Sequence, residues 1–427
     1  HIVDESGRTD FRYDHRGNVI EKTVTTASQS FTTSYSYTLA DRLDSMTYPS
    51  GRVVTYLRDG DGRITDVTTK VHTSASTKSI VSNISYKPFG PVAAYELANG
   101  INRALTYDTD YLLTGIADTG ASNLMDWTYT YDLNTNVEDI INNADSSRTQ
   151  SFGYDRLDRL EAGMGIYGDI GYTYDGVGNR LTKTTTTGTA PSEVTETQSY
   201  TYDYMAYPLV NSVRSDGAHH LDTVETDQTS DGSIDLTRTM LYGNNGHLEQ
   251  DTRANGDLFA ISYNTHQRNI GILANGVAMA SYQHNALGQR IVKTTTNNSV
   301  TYHYDEAGQL IGESDQAGNV LEYVYVDTMR MARYDGQTAY YYHNDHLSRP
   351  IAITDSGKAI VWQADYTPFG LRTLVNSTAD NDLGFPGQIL DEESDFYYNY
   401  FRDYDPSLGR YIQSDPIGLQ GGVNTFA

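Results

Sequence analysis

The sequence predicts an all-β fold of tandem hairpins, and three observations predict it. Tyrosine dominates the aromatic residues, with 36 Tyr against 10 Phe and 2 Trp in 427 residues. A Tyr ring buries apolar area while its hydroxyl still needs a partner, which suits a half-buried sheet face. Threonine is abundant, as in the run Thr182 to Thr187, and its β-branched side chain favours strands. Third, one short pattern recurs along the chain: an aromatic-x-Tyr-Asp strand end, a turn carrying Gly or Asn, and a return strand.

The clearest copy is YTYDGVGNRLTKTTTT, starting at Tyr172. Others are FRYDHRGNVIEKTV at Phe11, FGYDRLDRLEAG at Phe152 and YHYDEAGQLIGES at Tyr302, and weaker copies keep the Tyr and lose the Asp, as around Tyr282. Anchor tyrosines fall at Tyr13, Tyr37, Tyr56, Tyr86, Tyr107, Tyr131, Tyr154, Tyr174, Tyr202, Tyr242, Tyr263, Tyr282, Tyr304, Tyr325, Tyr342 and Tyr366. Most steps are roughly 20 to 24 residues, a period that signals a repeat array. Within one unit, Tyr172 and Tyr174 lie two apart and so share a sheet face. Asp175 accepts backbone N–H groups and starts the turn, Gly178 or Asn179 supplies the positive φ, and Arg180 and Leu181 begin the return strand. One hairpin is not stable alone in water, so successive hairpins must pair side by side. Strand twist has a fixed hand, and a sheet this long is expected to coil into a spiral or barrel-like wall. The longest step, Tyr202 to Tyr242, carries an insertion rich in Asp and His. Helix signals are scarce; a short helix or turn is expected at most near Asn376 and Asp382.

Composition excludes several functions. The formal charge is −25, which disfavours nucleic acid and anionic membrane surfaces, since both need clustered Lys and Arg. It suits solubility of a large tyrosine-rich sheet. The chain has no Cys, so disulfides and thiolate chemistry are excluded. No apolar run is long enough for a membrane-spanning helix. The chain begins at His1 with no signal peptide and reads as a piece of something longer.

Several constellations compete for a chemical role. Asp227, Thr229, Asp231, Gly232 and Asp235 have the spacing of the front half of a calcium loop, but Arg238 stands where the bidentate Glu belongs, and an Asp-Gly hairpin loop is the better account. GMGIYG, residues 163–168, fits G-x-G-x-x-G but precedes a strand instead of a helix. His343, Asp345 and His346 read as a hydrogen-bonded turn rather than a metal site, and His219-His220 beside Asp222 reads the same way. No metal and no cofactor is expected. The last part of the chain differs. Asp405-Pro406 and Asp415-Pro416 are two Asp-Pro steps; Pro416 fixes φ and Gly418 permits a tight turn. Arg402 and Arg410 are placed to hold a carboxylate. Aspartic-protease chemistry needs two carboxylates sharing a proton, and no second one follows Asp415 in this chain.

The Tyr-Asp units resemble the YD repeats of the RHS family. The end of the chain, with YYHNDHLSRPIAITD, ADYTPFG and FPGQILDEESDFYYNYFRDYDPSLGRYIQSDPIGL, resembles the RHS repeat-associated core domain. The resemblance implies a repeat shell over residues 1–339 and a core domain over 340–427. It implies that the shell winds round a hollow chamber holding the protein's own C-terminal toxin domain. It further implies a core that cuts itself as an aspartyl protease to free that toxin. Asp415 and Arg402 match the family's protease centre; Pro416, Gly418 and Leu419 complete the first of its two DPxG cleavage motifs. The second motif is absent from this chain, so self-cleavage is not expected of it as it stands. Family members resemble secreted effectors of interbacterial competition delivered by type VI secretion, with immunity and secretion-apparatus proteins as partners. Others resemble the C components of insecticidal toxin complexes. The expected function is therefore a structural shell that encapsulates and delivers a toxic effector. The alternative is a surface module gripping glycan or a receptor through exposed Tyr rows.

Overall fold

A computed structural model describes residues 1–26, 29–121, 124–202 and 219–427. Among these the chain is strand after strand, from Ile2–Asp4 to Arg410–Tyr411, with two single 3-10 turns, Ser146–Arg148 and Gly418–Gln420. Thirty-three strands belong to one antiparallel sheet and four to a second. Pairing follows chain order, as where Gly7–Tyr13 pairs with Val19–Thr25 and that strand with Ser30–Tyr37. The all-β prediction holds. The segment expected to hold at most a short helix or turn has no helix: Arg372–Ser377 is a strand, and the N–H groups of Thr378 and Ala379 both reach the carbonyl of Val361.

The repeat has a fixed local chemistry. Asp14 shows it: one carboxylate oxygen accepts the N–H of Arg16 at 2.8 Å and of Asn18 at 2.9 Å. The other accepts the Asn18 side chain at 3.0 Å. Asp59, Asp108, Asp132, Asp155, Asp175, Asp345 and Asp355 accept the same two N–H groups. Asn264 and Asn285 do so through their amide oxygens. The third residue after the Asp is left-handed, at φ 90° for Gly178, and stays so where it is Tyr111 (65°) or Ser348 (59°). The turn geometry is therefore set by the carboxylate clamp as well as by glycine. The register shifts by a bulge beside the turn, at Arg12 and Tyr13 in the first hairpin and at Thr173 and Tyr174 in the clearest one.

The repeat tyrosine ties each hairpin to the one before it. Tyr37 donates its hydroxyl to the carbonyl of Val19 at 2.9 Å, Tyr86 to Ile64 at 2.8 Å and Tyr107 to Val92 at 2.9 Å. Tyr154, Tyr174 and Tyr263 do the same to Val137, Leu160 and Leu248, and Tyr304 and Tyr325 to Arg290 and Leu310. Each acceptor is the first residue of the preceding return strand. Three anchors need moving. At Tyr56, Tyr282 and Tyr342 the strand runs two residues further, to Arg58, His284 and Asn344. Residues two apart share a face, so the pattern alone cannot separate them. Arg58 still makes the link, donating to the carbonyl of Leu43 at 2.8 Å. Tyr154→Phe should cost about 1 kcal/mol, the net worth of one such hydrogen bond; urea midpoints of the two proteins measure it, and equal midpoints would show the link to be passive.

The chain forms two compact units. The first comprises residues 1–128, 282–365 and 374–387. Its core joins Met46, Tyr48, Val54, Val67, Ile80 and Leu97 to Ile311, Val324, Met331 and Ala352. Buried polar links cross the same core. Tyr48 donates to the carbonyl of Tyr323 at 2.8 Å, and Arg52 pairs with Glu322 at 2.6 Å while its guanidinium lies 3.8 Å over the Tyr334 ring. The second unit comprises residues 129–281, 366–373 and 388–427. It holds the small sheet of Ile389–Asp391, Phe396–Asn399, Arg402–Asp405 and Arg410–Tyr411.

Candidate functional site

The small sheet of the second unit is where the sequence places chemistry, and repeat arginines hold it there. Arg238 binds Asp405 at 2.6 Å and Asp251 at 2.7 Å. Arg180 donates to the carbonyl of Leu408 at 2.9 Å, Arg253 to that of Ser394, and Arg268 to that of Phe401 at 2.8 Å. Backbone joins too: the N–H of Leu248 meets the carbonyl of Ile412, and His247 bridges to Gln413. Sequence reasoning missed this collar. Its signal was a basic residue recurring soon after the repeat turn, as at Arg180 and Arg268, read there only as the start of a return strand.

The structure brings Asp415 and Arg402 together. Arg402 Nη2 lies 3.1 Å from Asp415 Oδ2, with side-chain exposures of 14% and 20%. Its other terminal nitrogen donates to the carbonyl of Thr425 at 3.2 Å, and its guanidinium lies 3.6 Å over the Tyr411 ring. Burial pulls the Arg402 guanidinium down from its ordinary value against the opposing pull of Asp415. Asp415 donates its own N–H to Thr425 at 2.7 Å, and its Oδ1 accepts the N–H of Ile417 at 2.9 Å. Gly421 packs so closely that a Cβ there would sit 3.1 Å from Asp415 Oδ2. Gly418 is left-handed at φ 57° and opens the 3-10 turn. Pro416 and Leu419 are exposed. The carboxylate is thus fixed in direction by one arginine and one turn, with its Asp-Pro bond at the surface. Arg410 does not join this pair; it donates to the carbonyl of His219 and lies over Phe426.

The other constellations are spent on structure. In the loop spaced like a calcium site, Asp227 accepts the N–H groups of Thr229 and Gly232, Asp231 that of Ser233, and Asp235 that of Gln228. Arg238, at the position of the missing Glu, serves the ion pairs above. Among the described residues no cluster of three His or acidic groups could hold a metal. GMGIYG lies across two strands, Leu160–Gly165 and Gly168–Tyr174. His220 stacks on Tyr242 at 4.5 Å. His343 belongs to a strand, Thr338–Asn344, and is wholly buried, so it is a core residue and not part of a turn. Its Nδ1 meets Asp118 Oδ2 at 2.9 Å and its Nε2 meets Thr354 Oγ1 at 3.0 Å. The order Thr-His-Asp has the look of a nucleophilic triad, but all three side chains are sealed from solvent.

The family model of the RHS protein matches residues 339–375. The double-stranded DNA deaminase toxin A of Burkholderia cenocepacia is 30% identical over 141 residues, 32% of this chain and 10% of that protein. The toxin protein Tse5 of Pseudomonas aeruginosa is 37% identical over 87 residues, 20% of this chain and 7% of its own length. The tRNA3(Ser)-specific nuclease WapA of Bacillus spizizenii is 27% identical over 256 residues, 58% of this chain and 10% of the nuclease. Among solved structures, the crystal structure of TcdB2-TccC3 matches 99% of this chain and 24% of its own with a TM-score of 0.68 at 16% identity. The chain therefore spans a small fraction of each of these relatives. Among the described residues no helix is long and apolar enough to cross a membrane.

Proposed function

Because this chain belongs to the RHS family, we propose that it is wall and core of a toxin shell, which encloses a toxic effector and delivers it out of the producing cell. The observation that carries this reading is the continuous array of clasped hairpins whose arginines grip the small sheet at the chain's end. Such an array makes a wall. On this reading the repeat shell spans residues 1–339 and the core domain residues 340–427. The effector, an immunity protein and the secretion apparatus are its partners. The rival reading, a surface that grips glycan with rows of tyrosine, is disfavoured. Tyr35, Tyr48, Tyr95, Tyr129, Tyr172 and Tyr282 are buried, and the repeat hydroxyls are committed to carbonyls. A low-resolution envelope of the protein should show a hollow particle; a solid one of the same mass overturns the wall.

Within the core, Asp415 acts as one of two aspartates of an autoprotease, and Arg402 positions its carboxylate. The partner aspartate comes from chain beyond the first DPxG motif. In a natural chain carrying both motifs, cleavage should follow the second. Asp415→Asn should leave that chain whole, a loss of at least about a thousandfold, since a shared-proton pair cannot form with an amide. Arg402→Gln should slow cleavage and shift its pH profile without ending it. Gel analysis decides, and cleavage that persists in Asp415→Asn sinks the assignment.

A further inference from the structure

In the second unit, a cavity of about 110 Å³ is lined by Arg180, Arg410, Tyr202, Phe369, Asn424 and Phe426. Both arginines are buried, each 7% exposed. Among the other buried arginines of the described residues, Arg52, Arg103 and Arg349 each hold a carboxylate, whereas Arg330 and Arg333 do not. Arg180 and Arg410 are paired with no carboxylate among the described residues. Each spends a terminal nitrogen on a carbonyl, Arg180 on Leu408 and Arg410 on His219. The Nε of each is buried without a hydrogen-bond partner. A guanidinium cannot shed its charge by losing a proton, so among the described residues burial leaves two cations without a carboxylate counterion. Aromatic faces offset part of that: Arg180 lies 4.2 Å over Phe369, and Arg410 lies 4.8 Å over Phe426 and 5.4 Å over Tyr202. Faces do not satisfy N–H groups at the guanidinium edge. Both side chains line the cavity, and Arg180 Nη2 packs on Gly409, where a Cβ would lie 2.5 Å away.

We propose that this cavity binds a carboxylate on a short apolar stem, seated between Arg180 and Arg410. The planar forks match a carboxylate, and the desolvated setting strengthens charge-assisted hydrogen bonds. The walls of Tyr202, Phe369 and Phe426 favour an apolar stem over a fully hydrated inorganic anion. The volume suits a group of propionate size. The site stands apart from the Asp415–Arg402 pair, so it survives or fails independently of the autoprotease.

Thermal unfolding of the 427-residue chain at constant ionic strength tests this. Sodium propionate should raise Tm in a concentration-dependent way, beyond matched sodium chloride, as a ligand of the native state does. Arg180→Gln and Arg410→Gln should each weaken the apparent affinity by about tenfold or more, the value of a lost charge-assisted hydrogen bond. Should either variant not fold, Asn424→Asp gives an independent reading. Asn424 also lines the cavity, so this change supplies a side-chain carboxylate and should raise Tm in chloride while blunting the propionate response. Blocked glutamate (acetyl-Glu-N-methylamide) separates two sources. Stabilisation by it assigns an acidic peptide side chain; stabilisation by propionate alone assigns a free small acid; either supports a carboxylate site. Equal midpoints in propionate and chloride overturn the proposal. So does a propionate response that is undiminished in Arg410→Gln, or a larger response to phosphate.

Discussion

Asp118→Ala should destabilise the protein by about 3–5 kcal/mol, the cost of stranding a buried charge. Asp118 accepts Arg103 Nε at 2.7 Å and Nη2 at 2.6 Å, and its side chain is fully covered. Arg103 Nη1 goes on to the carbonyl of Asn344 at 2.7 Å. On the other side stands His343, then Thr354, whose hydroxyl accepts the amide of Asn99 at 3.0 Å. The donors close with a neutral His343: its Nδ1–H donates to Asp118, and its Nε2 accepts from Thr354. Alanine would leave Arg103 charged, buried and short of two acceptors. Urea denaturation measures the loss, and a change below about 1 kcal/mol would show that water or a neighbour takes over. The double variant Arg103→Met/Asp118→Leu should recover much of the stability, because removing both charges removes the stranded one.

The same network sets a pH dependence. Burial pushes Asp118 up, but the charge of Arg103, with the hydrogen bonds from Arg103 and His343, outweighs it and holds the carboxyl well below the usual range. Its contribution is complete above the unfolded value of about 3.9 and is lost as pH falls toward the lower folded value. Burial pushes His343 down despite Asp118. The folded state then binds fewer protons than the unfolded state below about pH 6.5, so stability falls with pH from there. Two losses on acidification are expected, one starting near 6.5 and one below about 3.9. Asp118→Ala should shrink the second, leaving the share of other depressed carboxylates such as Asp405.

The local fold was legible because its code is local. A carboxylate clamping N–H groups two and four residues on leaves an Asp at a fixed place. A hydroxyl reaching the previous hairpin leaves a Tyr before it. The code blurs where another residue makes the same bond, as Arg58 does for tyrosine, or where the αL position holds Tyr111 instead of glycine. Long-range partners were not legible. Asp118 and His343 are far apart in the chain, and nothing in HNDH says that its first histidine points into a core. Asp415 and Arg402 were found because the end of the chain resembles a known motif. The grip of Arg180 and Arg238 on the small sheet was not, since an arginine at a strand start looks the same whatever it reaches.

Arg238→Met should cost a similar 3–5 kcal/mol, but with a local signature. Arg238 meets Asp251, whose side chain is fully covered, and Asp405, whose side chain is 3% exposed. Burial would push Asp405 up, yet the Arg238 charge, with Ser407 and Arg253, holds it below its ordinary value. Methionine keeps most of the volume and removes the charge. Asp251 retains Arg253 at 3.2 Å. Among the described residues, Asp405 keeps hydrogen bonds from the N–H and hydroxyl of Ser407, at 2.9 and 2.6 Å, and from the N–H of Leu408 at 3.3 Å, beside the more distant charge of Arg253. It should therefore take up a proton or pull away from the repeats. Hydrogen exchange should rise first in Arg402–Asp405 and Arg410–Tyr411, whereas the repeat strands of residues 1–128 keep their protection. Adding Asp405→Asn to Arg238→Met should restore part of the loss, because the amide is neutral. If exchange instead rises evenly through the chain, the arginine supports the unit as a whole and is not the latch of the small sheet. A latch that fails selectively would also disturb Asp415, since Arg402 of the same sheet orients it. The cleavage proposed for a chain carrying both DPxG motifs should then slow in Arg238→Met even though neither residue of the pair has changed.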